Sequence, residues 1–335
     1  MTGPASDGHV AVLGIRSHVR MPVARSAGML DLHRVCDERD ARYDGAFVVA
    51  VRTTRIYCRP SCAGRPLPRN RSFLPSPEVA RREGYRACKR CKPDAAARLD
   101  LDFFGARAVA GVEEIVDGVY RRTLRDGSIL TSLDDSPLAR RLRDEDADLL
   151  AVNEVLSADP GLAPLVAEAP WRRVPGHVDG FELAVRAILG QQVSVAAART
   201  NAARLVARYG EPLASPSGSL THMWPAPAAL GDADIPGPRS RANAIRALAA
   251  ADLDLSYGAD PAALLELPGV GPWTASYVAM RALGDRDAFM PTDLGVRRGF
   301  EALGLPGDPR SAERHAERWR PFRSYALQHL WAVAA

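Results

Sequence analysis

Residues 267–293 read LPGVGPWTASYVAMRALGDRDAFMPTD, and this stretch is more informative about function than any other in the chain. It opens with a tight turn, continues as an apolar helix and ends at a single carboxylate, Asp293. Glycine adopts positive φ and leaves the backbone bare, so we expect Gly269 and Gly271 to let a ligand approach the chain closely. The amides that open the following helix point outward at the positive end of its dipole, which favours a phosphate.

The same residues also have an ordinary interpretation. A Leu-Pro-Gly-x-Gly turn connects helices in many proteins that bind nothing there. Aspartate is also a favoured N-cap, so Asp293 could simply cap a helix that begins at Leu294. The turn alone leaves both interpretations open.

Length and composition bound the class of protein. The 335 residues are enough for two or three domains, and 47% of them are hydrophobic. No apolar run reaches the roughly 18 residues that a membrane span needs, so we expect no membrane partner. Residues 1–28 carry an early Asp7 and one short apolar run, which makes a poor secretory signal. We therefore predict a disordered leader at 1–28 and a cytoplasmic protein.

Positive charge is concentrated in one segment. Residues 52–92 contain twelve Arg or Lys against Glu78 and Glu83, a net charge of +10 in a chain whose total is +4. Such a cluster favours a polyanionic partner. The chain has only two lysines, Lys89 and Lys92, so its high arginine content could reflect genomic composition, but this does not explain the clustering.

Four of the five cysteines have the spacing of a metal site. They fall as Cys58-x3-Cys62-x25-Cys88-x2-Cys91, two close pairs that a long loop can bring around one tetrahedral Zn²⁺. Two disulfides are the alternative, but no secretion signal points to an oxidising compartment. Cys36 lies on a predicted helix, where a buried structural role is the simplest interpretation.

The sequence around these cysteines carries a family resemblance. RTTRIYCRPSC at 52–62 and GYRACKRC at 84–91 resemble the N-terminal zinc domain of Ada, the methylation-responsive repair regulator. The resemblance covers about 29–94 and implies a small α/β domain with one zinc ion held by four cysteines, which we bound at 29–97. It also implies that the thiolate of Cys58 accepts a methyl group from a DNA methylphosphotriester, because zinc keeps the sulfur deprotonated and nucleophilic.

Two points keep the chemistry of this domain open. A zinc module that only helps to hold DNA would need the same four cysteines. The sequence also departs from the Ada pattern at Arg55, which replaces the glycine usual before Ile-Tyr-Cys, and at Ala63, which replaces a proline. Arg55 is expected to alter how this loop meets DNA.

Two further segments sharpen the interpretation of the C-terminal half. GQQVS at 190–194 and RWRPFRSYA at 318–326, together with the hairpin and Asp293, resemble the AlkA branch of the helix-hairpin-helix DNA glycosylases, which excises alkylated bases. The resemblance runs from about Pro175 to Trp331 and implies an all-α glycosylase domain, bounded here at 173–335.

The AlkA resemblance also implies roles for individual residues. It makes Asp293 the catalytic carboxylate, with three aromatic pocket walls, one wedge that fills the gap left by a flipped base, and a hairpin that contacts the DNA backbone. The pocket walls are Trp273, Tyr277 and Trp331, and the wedge is Gln192. The residues of the hairpin are Leu267, Gly269 and Gly271. Aromatic side chains on apolar helices are also common in protein cores, which remains the alternative for the pocket walls.

The middle of the chain, 98–172, resembles a shortened form of the β-containing N-terminal subdomain of AlkA. Tyr120 to Leu124 alternates like a half-buried strand, and Asp126-Gly127 suggests a hairpin. The acidic run at 144–148 is predicted to be a solvated helix start. The predicted fold class is therefore multidomain α+β.

Absent residues narrow the reaction. No lysine follows Lys92, and Thr274 occupies the position where a bifunctional glycosylase carries its Schiff-base lysine. No cysteine follows Cys91 to hold an iron–sulfur cluster. The sequence thus predicts a monomeric, monofunctional enzyme that excises bases such as 3-methyladenine from double-stranded DNA and carries a methyl-accepting zinc domain.

A second hypothesis belongs to a different class. The chain could be a non-enzymatic, methylation-responsive DNA sensor or transcriptional regulator whose glycosylase half has decayed. The shortened middle segment motivates it, and release of any methylated base would exclude it.

Overall fold

The computed structural model describes residues 31–95 and 99–334, so the predicted leader at 1–28 lies outside the described residues. A small cysteine-rich α/β part comes first, a short β-containing part follows, and a largely helical part ends the chain. The mixed helix-and-sheet fold class is therefore confirmed. No helix in the described ranges is long and apolar enough to cross a membrane.

The first part is built around a four-stranded sheet with the order β3-β1-β2-β4. Strand β1 is antiparallel to both of its neighbours, and β4 runs parallel to β2. Its elements are α1 (Leu32–Glu38), β1 (Val48–Val51), β2 (Ile56–Cys58), β3 (Arg71–Leu74), α2 (Pro77–Arg82) and β4 (Arg86–Ala87).

Strand β1 is buried on both faces, which its uninterrupted apolar sequence Val-Val-Ala-Val requires. On one face, Val48 and Ala50 pack with Ala80 in a small core of the zinc part. On the other, Val49 and Phe47 join the large core of the helical part. The packing therefore continues across the boundary predicted at residue 97.

Polar contacts reinforce this shared core. Arg173 donates a hydrogen bond of 2.7 Å to the carbonyl of Gly45. Arg140 lies 3.1 Å from the carboxylate of Glu78 on α2. The zinc part is thus fixed to the rest of the chain by apolar packing and by arginines from outside it.

The middle part contains a three-stranded antiparallel sheet, in which the strands lie in chain order, and four helices. The strand predicted at Tyr120–Leu124 is found, and the predicted turn at Asp126-Gly127 joins it to the next strand. The elements are α3 (Leu101–Arg107), β5 (Glu113–Val116), β6 (Val119–Thr123), β7 (Ile129–Thr131), α4 (Pro137–Leu142), α5 (Leu149–Ser157) and α6 (Ala163–Glu168).

The acidic run at 144–148 is solvated only in part, because Asp146 is exposed whereas its neighbours on either side are not. Glu145 is buried and pairs with Arg143 at 2.6 Å. Asp144 accepts a hydrogen bond from the amide of Val174, and burial raises the pKa of Asp144 to about 6. Asp148, the last acid of the run, is the N-cap of α5, so the run does lead into a helix as predicted.

The helical part contains eight helices in its described residues. They are α7 (Gly180–Leu189), α8 (Val195–Tyr209), α9 (Pro227–Leu230), α10 (Arg239–Ala250), α11 (Pro272–Val278), α12 (Leu294–Ala302), α13 (Pro309–Ala316) and α14 (Arg323–Val333). A π-helical turn, Ala279–Leu283, continues α11, and Gly284 ends it in the left-handed conformation.

This part is not purely helical, which corrects the all-α prediction. A two-stranded hairpin, β8 (Pro212–Ser217) and β9 (Leu220–His222), lies between α8 and α9. It docks on the middle sheet, where the carboxylate of Glu114 accepts hydrogen bonds from the amide and hydroxyl of Ser219 at 2.8 and 2.7 Å. The partner of this hairpin is distant in sequence, so local pattern could not reveal it.

A buried charge network joins the middle sheet to α7. Arg122 is 1% exposed and contacts both Glu113 of β5 and Glu182 of α7. Arg186 of α7 lies 2.9 Å from each of the same two carboxylates. Burial alone would raise the pKa of Glu182, but the charges of Arg122, His177 and Arg186 hold that pKa well below its usual range.

Asp159 ties α13 and the turn after it to the helices of the middle part. Its carboxylate accepts a hydrogen bond from the indole of Trp319 at 2.9 Å and from the amide of Gly161 at 2.8 Å, and it pairs with His315 at 2.8 Å. Burial opposes ionisation, but these contacts outweigh it and lower the pKa of Asp159.

We predict that Asp159→Asn lowers the free energy of unfolding by about 2 kcal/mol at pH 7, because the charged acceptor is lost. A lowered carboxyl pKa stabilises the fold above the unfolded value of about 3.9 and loses that effect as pH falls through the folded value. Denaturant titrations should therefore show the difference shrinking below about pH 4. The exposed Asp252, changed to Asn, is the control, and an equal effect there would contradict the assignment.

Candidate active site and zinc centre

Asp293 is both a helix cap and a cleft residue. Its Oδ1 accepts the amide of Val296 at 3.0 Å, as an N-cap of α12 should. The indole of Trp331 donates to the same oxygen at 2.8 Å, and the indole of Trp273 donates to Oδ2 at 2.9 Å. A carboxylate oxygen accepts two hydrogen bonds, so Oδ2 keeps one position for a further donor.

The structure brings Asp293 and the three predicted pocket aromatics into one cleft of about 670 Å³. Trp273 and Tyr277, one helical turn apart on α11, stack with ring centroids 5.2 Å apart and planes 7° from parallel. Both are only partly buried, as is Trp331 from α14. These rings therefore line a cleft as well as packing against the core.

The position of Trp331 depends on a glycine in the first turn of α12. A Cβ on Gly295 would lie 2.7 Å from Cδ1 of Trp331 and 3.1 Å from Oδ1 of Asp293. Only a residue without a side chain allows the indole to approach the helix closely enough to reach the carboxylate.

Arginines dominate the charge of the cleft. Six of them line it: Arg107, Arg172, Arg186, Arg199, Arg281 and Arg298. Within residues 31–95 and 99–334, only Arg186 has a carboxylate within 4.0 Å. A concave surface with this much unneutralised positive charge attracts a polyanion.

Sequence reasoning did not find two of the cleft residues, Phe103 and Arg107. Both come from α3 of the middle part, where the guanidinium of Arg107 lies 3.7 Å from the ring centroid of Phe103. The sequence did not show which face of α3 meets the cleft, because that face is set by the packing of α3 against α8. Arg281 was also missed, although it lies one helical turn after Tyr277.

The hairpin before α11 differs in one detail from the prediction. Gly269 is exposed at φ +80°, whereas Gly271 is extended (φ −104°, ψ 176°) and serves as the N-cap of α11. Gly271 therefore does not use the positive φ that is open to glycine, but a Cβ there would meet nothing within 4 Å, so the backbone is open to approach. The carbonyl of Leu267 accepts the amide of Val270 and closes the turn.

Gln192 lies outside the cleft lining, exposed, in the left-handed conformation at φ +59°. The preceding Gln191 fixes the loop to the hairpin, because its amide donates to the carbonyl of Gly269 at 3.0 Å and to the hydroxyl of Thr274 at 3.1 Å. Arg241 holds the carbonyl of Gln191 from the other side at 2.7 Å. The side chain of Gln192 thus extends from an anchored loop.

The four cysteines converge as their spacing predicted. The sulfur atoms of Cys58, Cys62, Cys88 and Cys91 all lie within 4.8 Å of one another. Tetrahedral zinc with Zn–S bonds of about 2.3 Å separates its sulfurs by about 3.8 Å, so the set fits this ion. The amide of Arg59 donates to the sulfur of Cys91 at 3.4 Å, a contact that suits a thiolate.

The electrostatics of the cluster also require a cation. Burial and the three neighbouring cysteines raise the pKa of the Cys58 thiol. All four sulfurs can therefore ionise together only around a positive ion.

Cys58 opens on a second, smaller cavity of about 280 Å³, which Arg59, Arg65 and Arg71 also line. Arg71 is paired with Asp37 at 2.7 Å, whereas Arg65 is exposed. The reactive candidate sulfur therefore faces a cationic surface.

The departure at Arg55 has a structural explanation. This residue lies at φ +53°, a conformation that glycine adopts without cost. Its guanidinium donates to the carbonyl of Glu83 and lies 4.1 Å from the ring centroid of Tyr85. Arg55 is thus engaged within its own domain.

Comparisons with known proteins agree with this arrangement. Residues 31–94 match the family model of the metal binding domain of Ada. A Mycobacterium tuberculosis protein named as a probable bifunctional transcriptional activator/DNA repair enzyme AlkA is 35% identical over 474 aligned positions, covering 90% of this chain and 95% of its own. DNA-3-methyladenine glycosylase 2 of Escherichia coli is 35% identical over 263 positions, covering 69% of this chain and 91% of its own.

A solved structure shares the fold. The 3-methyladenine DNA-glycosylase from Archaeoglobus fulgidus superposes with a TM-score of 0.59 at 21% identity, covering 70% of this chain and 94% of its own.

We predict one Zn²⁺ per chain, measured by elemental analysis of the purified protein. Cys62→Ser removes a buried ligand and should lower the zinc content well below one ion. Cys36→Ser is the matched control, because Cys36 lies outside the cluster, and it should keep the full ion. Equal zinc loss in both variants would contradict the assigned ligand set.

Proposed function

We propose that this chain, which belongs to the AlkA family of DNA repair enzymes acting on alkylation damage, excises alkylated bases from DNA and accepts methyl groups at its zinc site. Its partner is DNA, and its two reactive centres are the Asp293 cleft and the zinc site. The observation that carries the proposal is the carboxylate of Asp293, fixed by two indole N–H groups at the wall of an arginine-rich cleft.

The proposed reaction begins with base flipping, because a base stacked in duplex DNA is out of reach of any side chain. The cationic cleft attracts the phosphates, and the exposed backbone at Gly269 contacts them. Gln192, which projects from its anchored loop, fills the gap and can hydrogen-bond the orphaned base. Gln192 is exposed and lies outside the lining of the cleft that receives the flipped base.

Asp293 then acts on the sugar. The bond between C1′ and the base breaks, and its electron pair leaves with the base. The carboxylate stabilises the positive charge that develops on the sugar and takes a proton from the water that attacks C1′. A base such as 3-methyladenine carries positive charge before it leaves, so it departs as a neutral molecule. Trp273, Tyr277 and Trp331 offer it electron-rich faces.

Cys58 is proposed to act on the DNA backbone. Its sulfur attacks the methyl carbon of a methylphosphotriester, the carbon–oxygen bond breaks, and the electron pair returns to the phosphate oxygen. Cys58 becomes a thioether, so the zinc site loses one negative charge. The site then repels DNA phosphates less, and the cationic surface around Arg65 holds them more tightly.

A regulatory function follows from the same change of charge. The M. tuberculosis relative is named a transcriptional activator as well as a repair enzyme. We propose that methylation of Cys58 strengthens DNA binding and that the monomeric chain uses this in the cytoplasm to respond to alkylation. A sensor without glycosylase activity is the remaining alternative, and base release separates the two.

We predict that Asp293→Asn slows the release of 3-methyladenine from methylated duplex DNA by about 100-fold or more under single-turnover conditions. Asparagine is also a good N-cap, so the helix should survive the loss of the charge. The matched control is Asp308→Asn, because Asp308 caps α13 through the amide of Ser311 but lies away from the cleft. Base release by the Asp293 variant at the wild-type rate would exclude the catalytic role.

We predict that labelled methyl moves from methylphosphotriester DNA to Cys58 of the wild-type protein and to no other cysteine. Mass spectrometry of the digested protein locates the added methyl. Cys36→Ser should be labelled like the wild type, and Cys58→Ala should not be labelled. Label that persists in Cys58→Ala would show that another residue is the acceptor.

A further inference from the structure

The proposed function gives Arg107 no role beyond its share of the positive charge of the cleft. Its side chain lies with that of Phe103 on one wall, beside the hydroxyl of Tyr277. Burial, together with the nearby Arg281, lowers the pKa of Arg107, which nevertheless stays protonated because guanidinium keeps its proton in proteins. The protein has placed a charged donor where its desolvation is costly.

The charge of Arg107 is not balanced by the protein. Across the described parts of the chain, no carboxylate lies within 4.0 Å of its guanidinium; Nη1 donates to the carbonyl of Phe103 at 3.2 Å. A guanidinium has five N–H donors, so several of them remain for a ligand. An incompletely paired charge in a cleft is characteristic of a functional site.

A second arginine, Arg186, holds the backbone of Arg107 in place. Arg186 donates from Nη2 to the carbonyl of Arg107 at 2.5 Å, at the C-terminal end of α3. Arg186 is itself fixed by Glu113 and Glu182 in the buried network. The guanidinium of Arg107 is itself oriented by the carbonyl of Phe103 at 3.2 Å and by the ring of Phe103, whose centroid lies 3.7 Å away, so it is preorganised for a ligand.

The residues between Arg107 and Asp293 define where a base would lie. Asp293 accepts a hydrogen bond from Trp273, Trp273 stacks on Tyr277, and the hydroxyl of Tyr277 adjoins Arg107. A nucleotide with its C1′ at the carboxylate and its base along these rings would therefore direct the far edge of the base toward the guanidinium.

We propose that Arg107 is a further catalytic residue, whose guanidinium donates hydrogen bonds to the departing base and stabilises bases that leave as anions. When a neutral base leaves, the electron pair of the bond to C1′ makes it an anion, and donors aimed at its ring nitrogens or carbonyl oxygens lower the barrier. Arg107 keeps its protons, and the released anion takes one from solvent. The inference rests on the proposed glycosylase function.

The role is confined to one class of substrate. A cationic base such as 7-methylguanine leaves as a neutral molecule and gains little from a donor. Its positive charge is even repelled by the guanidinium before the bond breaks. Loss of Arg107 should therefore slow the release of neutral bases but not of cationic bases, whereas loss of a purely structural residue would slow the release of both.

The test compares Arg107→Met with the wild type in single-turnover reactions at saturating enzyme. One duplex carries hypoxanthine, a neutral base with carbonyl and ring-nitrogen acceptors, and the other carries 7-methylguanine. The variant should release hypoxanthine about 100-fold more slowly, while release of 7-methylguanine stays within about threefold or rises. Arg107→Lys keeps the charge and should recover part of the hypoxanthine rate.

Arg199→Met is the matched control, because Arg199 lines the same cleft, is exposed and has no described ion pair. It should leave the ratio of the two rates unchanged. An equal loss on both bases in Arg107→Met, no loss on either, or a wild type that releases only 7-methylguanine would overturn the role of Arg107 alone. A wild type that releases neither base would instead overturn the proposed function, and this inference with it.

Discussion

Three helices meet at the carboxylate of Asp293, and the architecture of the C-terminal half depends on this contact. The residue starts α12, accepts the indole of Trp273 on α11 and accepts the indole of Trp331 on α14. Each indole N–H would otherwise be a partly buried donor without an acceptor, which is costly. The same carboxylate thus caps a helix and lies in the cleft, so the two interpretations of Asp293 that the sequence left open are compatible.

The middle part of the chain is integral to the cleft that surrounds this carboxylate. Its helix α3 supplies Phe103 and Arg107 to one wall. The buried network of Glu113, Arg122, Glu182 and Arg186 connects its sheet to α7, and Arg186 reaches from that network to the carbonyl of Arg107. What the middle part contributes to the cleft is thus mainly one helix, which this network holds in place.

The sequence predicted those features that depend on residues close to one another in the chain. The spacing of Cys58, Cys62, Cys88 and Cys91 predicted one metal centre because each pair supplies its ligands through a short turn. The hairpin and Asp293 were found for the same reason. The burial of Glu145 and the placement of Arg107 in the cleft could not be predicted, because each depends on elements distant in sequence. The zinc part also shares its core with the helical part, which no boundary drawn from composition could show.

In the proposed mechanism, the charge of Asp293 stabilises the positive charge that develops on the sugar. Its most direct test is the affinity of the protein for two duplexes, one with a cationic pyrrolidine at an abasic site and one with a neutral tetrahydrofuran there. The wild type should bind the cationic duplex about 100-fold or more tightly than the neutral one, and Asp293→Asn should lose most of that preference while binding the neutral duplex normally. If Asp293→Asn kept the full preference for the cationic duplex, the charge of Asp293 would not be what stabilises a cationic sugar.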